Sequence, residues 1–401
     1  MPTSAADLLT AAYNDADRTI DMRRALHRQP EVGLQLPRTQ ATVLDALAEL
    51  PVQVTTGTST TSVVGVLRGA QPGPSYLLRA DMDALQVHED TGLPFASEMP
   101  GVMHACGHDT HVAMLLGAAR LLAERRDLLA GQVVFMLQPG EEGLHGARYM
   151  LEEGLLDVVP EAPVTGAFAM HIISNLPSGS VNVRPGPMMA AADQWRMTVR
   201  GRGGHASMPH SAADPVPVAA EIVLALQAMV TRRVDVFDPA VVTVAHIEAG
   251  SRDNVIPDSV FMEGTIRTLS AERRRDVVSA VQRVATHVAA AHEMTVEFEP
   301  VAGYPVTVND ATAAGRVLEA AAALVGEPAT ALMPAPVMGA EDFSYVLERV
   351  PGAMAFLGGC PPGLDPATAP ANHSNLVVFD EEPLPAGVAL YAWMALQALG
   401  G

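Results

Sequence analysis

Apolar residues recur along the chain with two different spacings, which predict buried strands alternating with helices. Short apolar runs have the length of buried strands, and stretches with an apolar residue every three or four positions have the period of a helix. The predicted strands are 61–67, 75–80, 131–137, 166–171 and 353–357. The predicted helices are 110–123, 146–153, 311–325, 343–349 and 384–399. This alternation predicts an α/β fold with a mostly parallel central sheet and helices on both faces.

The middle of the chain has a different order of elements. The strands predicted there are 194–199, 240–247, 259–268 and 295–299, and the helices are 214–230 and 271–291. The order β-α-β-β-α-β is the ferredoxin-like α+β pattern. We therefore predict an inserted domain at 188–302 within a discontinuous catalytic domain at 1–187 and 303–401. The Pro/Gly-bearing segments 184–188 and 300–305 are the candidate hinges.

Composition narrows the class of protein. With 49% hydrophobic and 17% charged residues, the 401-residue chain can bury large cores. The net charge of −20 argues against nucleic-acid or anionic-membrane partners, and no uninterrupted apolar run reaches the length of a membrane span. The two cysteines, Cys106 and Cys360, make no disulfide framework, and the polar N-terminus lacks a signal-peptide pattern. We therefore expect a cytoplasmic protein.

The segment 104–111, His-Ala-Cys-Gly-His-Asp-Thr-His, concentrates metal-binding side chains at the start of a predicted helix. Cys106 and His108 are two positions apart on a loop, so both can reach one cation. Thiolate and imidazole are ligands that suit zinc and neighbouring transition metals. An ordinary polar helix start with a buried thiol is the alternative, but the density of ligand types favours metal binding.

A pair of adjacent carboxylates follows the predicted strand 131–137, within Gln-Pro-Gly-Glu-Glu-Gly at 138–143. The carboxyl ends of strands carry the functional loops of α/β folds. Because neighbouring side chains point in different directions, Glu142 can bind metal while Glu141 faces the substrate as a general base. A solvated acidic loop is the alternative.

Two further histidines complete a ligand set. His171 ends the strand 166–171, and His373 precedes an apolar, strand-like segment at 377–379. The five predicted ligands are Cys106, His108, Glu142, His171 and His373. Five ligands are too many for one tetrahedral structural site and are what two adjacent metals require.

Nearby aspartates are predicted to support these ligands. Asp81 and Asp83 lie in Arg-Ala-Asp-Met-Asp-Ala at 79–84, after another strand. We predict that Asp83 and Asp109 orient the ligands without binding metal, whereas Asp81 can do either.

The predicted inserted domain also carries candidate site residues. Its glycine-rich loop 201–210 has no G-x-G-x-x-G register and opens no helix, so it is not a dinucleotide loop. We predict that this loop presents His205 as a donor to developing oxyanion charge. Asn254 and Arg267 are candidates for binding a substrate carboxylate, against the alternatives of a turn Asn and a sheet-edge Arg.

Taken together, these motifs resemble the metallopeptidase family that holds aminoacylases, hippurate hydrolases, plant auxin–amino acid conjugate hydrolases and glutamate carboxypeptidases. The resemblance is strongest to its amidohydrolase branch. The matching segments are 79–84, 104–109, 138–143, 203–210 (Gly-Gly-His-Ala-Ser-Met-Pro-His) and 338–343 (Met-Gly-Ala-Glu-Asp-Phe). They span nearly the whole chain in the family's order.

The resemblance implies metal-dependent hydrolysis of the amide bond of small N-acyl amino acids. It implies two divalent ions per chain (zinc, manganese, nickel or cobalt) on the five ligands named above, with Glu141 as general base. The inserted domain would serve as a lid or dimerisation domain of a homodimer or higher homo-oligomer, and His205 would act on the partner's site. Cys106 stands where the wider family has a bridging aspartate, and Thr110 and Ser174 depart from residues common in the branch.

Three alternatives remain at this point. A cysteine hydrolase using Cys106 would leave the Glu141–Glu142 pair and the distant histidines without a role. A catalytically inactive small-molecule-binding homologue would not need a complete set of ligands. An aminopeptidase would favour an acidic amine-binding pocket over Arg267.

Overall fold

The computed structural model describes residues 4–400, which form two compact units. The described part of unit 1 is 4–188, 308–335 and 342–400, and unit 2 is 189–307 with 336–341. Within the described chain the α-helices are α1 (Ala5–Asn14), α2 (Ala16–Arg28), α3 (Pro37–Ala48), α4 (His108–Ala123), α5 (Gly146–Glu152), α6 (Pro215–Arg233), α7 (Ala271–Ala291), α8 (Ala311–Val325), α9 (Ser344–Leu347) and α10 (Leu384–Leu399).

The strands are numbered in the same way along the chain. They are β1 (Val52–Thr56), β2 (Val63–Arg68), β3 (Gln71–Asp81), β4 (Ala130–Gln138), β5 (Val164–Ile173), β6 (Val181–Val183), β7 (Gly186–Met189), β8 (Ala191–Arg200), β9 (Gly204–His205), β10 (Ala240–Ala249), β11 (Val255–Ile256), β12 (Ser259–Thr268), β13 (Thr295–Tyr304), β14 (Thr307–Asn309), β15 (Thr330–Leu332) and β16 (Gly352–Gly358).

Unit 1 is built on an eight-stranded sheet in the order β1-β2-β4-β3-β5-β16-β6-β15. Its central strands β4, β3, β5 and β16 are parallel, whereas β1–β2, β2–β4 and β16–β6 pair antiparallel. The central strands are buried along most of their length, which is why they read as continuous apolar runs. The predicted α/β fold with a mostly parallel central sheet is confirmed.

The parallel register brings the loops after three strands to one edge of this sheet. Asp81 at the end of β3 lies opposite Gln138 at the end of β4, and Arg79 lies opposite Ala169 of β5. The loops that carry Glu141 and the end of β5 that carries His171 therefore emerge beside Asp81. Functional groups in α/β folds gather at this carboxyl edge.

Helix α4 places the Cys106–His108 segment against that edge. The helix begins at His108, directly after Gly107, whose φ of 90° lies in the left-handed region that glycine adopts without strain. Almost every residue of α4 is buried, because the helix packs against β3 and against helices α2 and α10.

Unit 2 contains an antiparallel four-stranded sheet in the order β10-β12-β8-β13. Alternate residues of β8 and β12 are buried, as expected for a sheet covered on one face. Helices α6 and α7 cover that face and form a separate core around Trp195. The sequence order β8-α6-β10-β12-α7-β13 with this strand order is the predicted ferredoxin-like pattern.

Helix α6 has the length and apolar composition that a membrane span requires, by those two criteria alone. Its buried residues, which include Val218, Ile222 and Leu226, belong to the core of unit 2. This packing gives the apolar side of α6 a partner within the fold.

Some local predictions were wrong. Val377 and Phe379 are buried, but segment 377–379 is not a strand, and 300–304 continues strand β13 where a hinge was expected. Helices α1–α3 and the short strands β6, β7, β14 and β15 were not anticipated. Strands of three or four residues are too short to show a period in the sequence.

Candidate metal centre and active site

The thiol of Cys106 lies at the centre of a cluster of metal-binding side chains. Its Sγ is 3.3 Å from His171 Nε2 and 3.2 Å from His373 Nε2. His373 Nε2 is also 3.2 Å from a carboxylate oxygen of Glu142. Residues from a helix start, two strand ends and a C-terminal loop therefore converge on one sulfur atom.

The cluster divides into two groups that share Cys106. Cys106, His108 and His171 form one group and Cys106, Glu142 and His373 the other, with the ligand atoms of each group within 4.8 Å of one another. A thiolate common to two groups is suited to bridge two cations, and this donor set is one that zinc and its neighbours accept. All five residues belong to unit 1.

Backbone carbonyls fix the orientation of two imidazole rings. His108 Nδ1 donates to the carbonyl of Asp83 at 2.8 Å, and His171 Nδ1 donates to the carbonyl of Ile172 at 2.7 Å. Each ring therefore presents Nε2 toward the cluster, which is the usual arrangement of metal-binding histidines. His108 Nε2 is buried and accepts no hydrogen bond within residues 4–400. The residues present thus fit a divalent metal centre.

The electrostatics of the metal-free cluster do not activate Cys106 as a nucleophile. Burial raises the pKa of the Cys106 thiol. Burial holds the pKa of His171 well below its usual value. Hydrogen bonds with Cys106 and Glu142 raise the pKa of His373 to about 10. Reactive cysteines have a lowered thiol pKa and partial exposure, so a buried thiol with a raised pKa favours the metal-ligand interpretation.

Asp83 links the loop after β3 to the Glu141–Glu142 pair. Its carboxylate accepts hydrogen bonds from the backbone N–H of Glu141 at 2.9 Å and of Glu142 at 3.0 Å. Carboxylate oxygens of Glu141 and Glu142 and a ring nitrogen of His108 lie within 4.8 Å of one another. Glu141 is therefore held beside the cluster.

Asp81, left open by the sequence, is engaged by neighbouring side chains. Arg79 Nη1 donates to it at 2.7 Å and His111 Nδ1 at 2.6 Å, and all three side chains are fully buried. Burial opposes ionisation of Asp81, but Arg79 and the neighbouring histidines together outweigh it, so the pKa of the carboxyl lies well below its usual range. His111 Nε2 accepts the backbone N–H of Ile172 at 2.8 Å. This arrangement gives Asp81 a role in fixing the β3, α4 and β5 segments.

Asp109, the residue after His108, pairs with helix α2. Its carboxylate accepts from Arg23 Nε at 2.8 Å and from His27 Nδ1 at 2.8 Å, and these side chains are almost fully buried. Nothing in the sequence pattern assigned Arg23 or His27 to the site. Their spacing of four positions on one helix face was the only available signal.

The three candidate residues of the inserted segment lie in unit 2. His205, at the end of β9, lies near Asn254, because the N–H of Ala206 donates to the carbonyl of Asn254 at 3.1 Å. His205 Nδ1 accepts the N–H of Ser207 at 3.1 Å, so the exposed ring carries a proton on Nε2. Arg267 is on β12 and is partly buried.

One cysteine thiol, three imidazoles and a carboxylate beside a second carboxylate, at the carboxyl edge of an α/β sheet, define a metal-dependent hydrolase. The family follows from comparison with known proteins. Residues 77–397 match the model of peptidase family M20/M25/M40, and the chain belongs to this family. It is a metallo-amidohydrolase that uses divalent metal.

Relatives of known name cover nearly the whole chain. Thermostable carboxypeptidase 1 of Saccharolobus solfataricus is 38% identical over 98% of this chain and 99% of its own length. N-acetylcysteine deacetylase of Bacillus subtilis is 39% identical over 85% of this chain and 88% of its own. A solved dinuclear metal-binding peptidase of the M20 family from Bacillus subtilis is 34% identical, covers 96% of this chain and 99% of its own, and superposes with a TM-score of 0.84.

Proposed function

We propose that this protein hydrolyses the amide bond of N-acyl amino acids at a two-metal centre. The observation that carries the proposal is the pair of three-residue groups sharing Cys106, with Glu141 beside them. The proposed metal ligands are Cys106, His108, Glu142, His171 and His373. The similarity to an N-acetylcysteine deacetylase supports an N-acyl amino acid as the substrate.

The proposed chemistry assigns the proton transfers to Glu141. The bound ions would supply Lewis acidity toward the scissile carbonyl and the attacking water. Glu141 removes a proton from that water as its oxygen bonds to the carbonyl carbon. Glu141 then delivers the proton to the amide nitrogen as the C–N bond breaks. Asp83 keeps Glu141 in position through the backbone N–H groups of residues 141 and 142.

The residues of unit 2 are proposed to bind substrate and to complete the site. His205 would donate from Nε2 to the oxyanion, on the site of a partner copy in a homodimer. Asn254 and Arg267 would bind the free carboxylate of the amino acid. In this proposal 188–302 is the lid and dimerisation domain, inserted between 1–187 and 303–401. The working metal would be zinc, manganese, nickel or cobalt, and the protein would act in the cytoplasm without nucleic-acid or membrane partners.

Metal analysis combined with a substrate panel tests this proposal. The purified protein is analysed for bound metals by mass spectrometry and assayed on N-acetyl, N-benzoyl and indole-acyl amino acids, and on peptides with a free carboxyl end, before and after chelation. We expect about two metals per chain and activity that chelation removes and divalent ions restore. Hydrolysis that resists chelation would point to Cys106 as nucleophile. Full metal occupancy without turnover would favour an inactive binding homologue, and turnover of peptides alone would favour carboxypeptidase action.

Substitution of the two adjacent carboxylates separates their roles. Glu141→Gln removes the proposed base but no ligand, so we expect kcat to fall by about 10²–10⁴-fold while both metals stay bound. Glu142→Gln is the matched control, because it removes a proposed ligand and should lower metal content. Equal loss of metal in both variants would contradict the assignment of Glu141 as the base.

A further inference from the structure

The side chain of Asn372 connects three segments that carry proposed metal ligands. Its Nδ2 donates to the carbonyl of Cys106 at 3.0 Å and to the carbonyl of Ile172 at 3.0 Å. Its Oδ1 accepts the N–H of Ser174 at 3.0 Å and the hydroxyl of Ser174 at 3.1 Å. Asn372 itself directly precedes His373. One carboxamide thus makes four hydrogen bonds to two of these segments, those around residues 106 and 171–174. The third segment is its own, which carries His373.

The amide of Asn372 is suited to these bonds in one orientation only. Both groups that face Nδ2 are carbonyl acceptors, and the backbone N–H of Ser174 that faces Oδ1 is a donor. The carbonyl of Ile172 also accepts the hydrogen bond from His171 Nδ1 at 2.7 Å. Asn372 therefore contacts the same carbonyl oxygen that orients the His171 ring.

The backbone of His373 needs support from its surroundings. Its φ of 73° is in the left-handed region, which is unfavourable for a residue with a side chain. Such a conformation persists only where neighbouring contacts enforce it. The N–H of His373 donates to the carbonyl of Ala105 at 2.8 Å, and Asn372 binds the next carbonyl, that of Cys106, at 3.0 Å. These two contacts attach residues 372 and 373 to the segment that carries Cys106.

We propose that Asn372, supported by Ser174, is a positioning residue that pre-organises Cys106, His171 and His373 for metal. This inference rests on the proposed two-metal function. If Asn372 has this positioning role, it determines how tightly the protein retains its metals, because ligands that are already in place need no ordering when metal binds. Since Asn372 and its partners lie 198–266 positions apart in the chain, the contact exists only in the folded protein.

Asn309 offers a matched control within unit 1. Its Nδ2 also donates to two backbone carbonyls, those of Arg184 and Met354, both at 2.9 Å. Its Oδ1 accepts the N–H of Met354 at 2.7 Å, and none of these partners is a proposed ligand. Replacing either asparagine by aspartate keeps the shape of the side chain and places an acceptor against two carbonyls.

The experiment compares Asn372→Asp and Asn309→Asp in the whole protein, with Zn²⁺ as the probe. Zinc affinity is measured by competition with a chromophoric chelator, and the stability of the metal-free protein by urea unfolding. We expect Asn372→Asp to weaken zinc binding by about tenfold to hundredfold. We expect Asn309→Asp to lower stability without that loss of affinity. With Co²⁺ in place of zinc, the thiolate charge-transfer absorption should change in the Asn372 variant alone.

Ser174→Ala provides a second variant should Asn372→Asp fail to fold. It removes one of the four hydrogen bonds and should weaken zinc binding by a few-fold in the same direction. Unchanged affinity in Asn372→Asp or, if that variant does not fold, in Ser174→Ala would overturn the positioning role and leave the proposed function intact. Affinity losses that are equal in the Asn372 and Asn309 variants would overturn it too. A wild-type protein that binds no zinc would overturn both.

Discussion

Gly107 lies between two proposed ligands, Cys106 and His108, in a conformation that only glycine adopts without strain. Its φ is 90°, and a Cβ at this position would lie 2.4 Å from Ile172 Cγ2. The residue is thus required both by the backbone turn into α4 and by the close approach of β5. The sequence shows the glycine but not the side chain it would meet.

We expect Gly107→Ala to lower the free energy of unfolding by about 2–4 kcal/mol, from left-handed strain and overpacking together. The variant should also bind less metal, because Cys106 and His108 shift with the backbone. Urea unfolding of the chelated protein and metal analysis measure the two effects. Gly101→Ala is the control, because Gly101 has a φ of 77° with open space around it. A loss of unfolding free energy no greater than in the Gly101→Ala control would contradict the packing argument.

At the scale of elements, a buried charge network attaches helix α2 to helix α4. Arg23 binds Asp109 at 2.8 Å and Glu381 at 2.9 Å. His27 has a carboxylate at each ring nitrogen, Asp109 at 2.8 Å and Glu89 at 3.3 Å, so it is held as an imidazolium. Burial alone would lower the pKa of His27, but these carboxylates raise it. The start of α4, which carries His108, is thereby attached to the N-terminal helices.

Removing Arg23 should weaken the buried charge network between α2 and α4. We expect Arg23→Ala to cost about 3 kcal/mol of unfolding free energy, the low end of the range for breaking a buried pair, because Asp109 keeps His27 and Glu381 keeps Arg24 as partners. Arg18→Ala on the same helix is the control, because the Arg18–Glu49 pair is exposed and its loss should cost about 0–1 kcal/mol. Chemical denaturation of the metal-free variants compares them. Similar losses of unfolding free energy in both variants would show that the buried network adds nothing to stability.

The Glu89 carboxylate should make the free energy of unfolding depend on pH in the acid range. Burial opposes its ionisation, but hydrogen bonds from His27, Thr91 and Ser97 outweigh it and lower the pKa of Glu89 to about 2. A carboxyl whose pKa is lower in the folded than in the unfolded state stabilises the fold at pH values above its unfolded-state pKa, near 4.5. That contribution is lost as the pH falls toward 2.

We therefore expect Glu89→Gln to destabilise the protein by about 2 kcal/mol at pH 7 and progressively less between pH 4.5 and pH 2. Urea unfolding at several pH values measures the difference from wild type. Glu161→Gln, at an exposed pair with Arg68, should change little at any pH. If the destabilisation by Glu89→Gln stays constant down to pH 2, the pKa of Glu89 is not lowered in the folded protein.

At the scale of the whole molecule, the two units have separate cores, and the proposed site residues are divided between them. All five proposed ligands and Glu141 belong to unit 1, while His205, Asn254 and Arg267 belong to unit 2. Each core is closed by its own helices, α4 and α10 among those of unit 1 and α6 and α7 in unit 2. Metal binding should therefore depend on the core of unit 1.

A cavity in either core tests this division. Ile222→Ala in α6 and Leu115→Ala in α4 each truncate a fully buried side chain and should cost about 2–5 kcal/mol. We expect Ile222→Ala to keep its full metal content under folding conditions and Leu115→Ala to lose metal faster to a chelator. Calorimetry confirms the stability losses, and mass spectrometry gives the metal content. Equal metal loss in both variants would refute the division.

The sequence by itself determined the elements with a clear period and the local chemistry. Helices α7 and α8 and strand β12 have the predicted bounds, because long apolar periods reflect one buried face. Cys106 with His108, and Glu141 with Glu142, were found because their members are neighbours in the chain.

Only the tertiary structure decided the partners that come from distant segments. Arg23 meets Asp109 across 86 positions, and Asn372 meets Cys106 across 266. Such pairs depend on how helices and loops pack, and no periodic pattern encodes that packing. The same reason explains Asp81: its sequence position allowed a metal ligand, and only the fold shows that Arg79 and His111 bind its carboxylate.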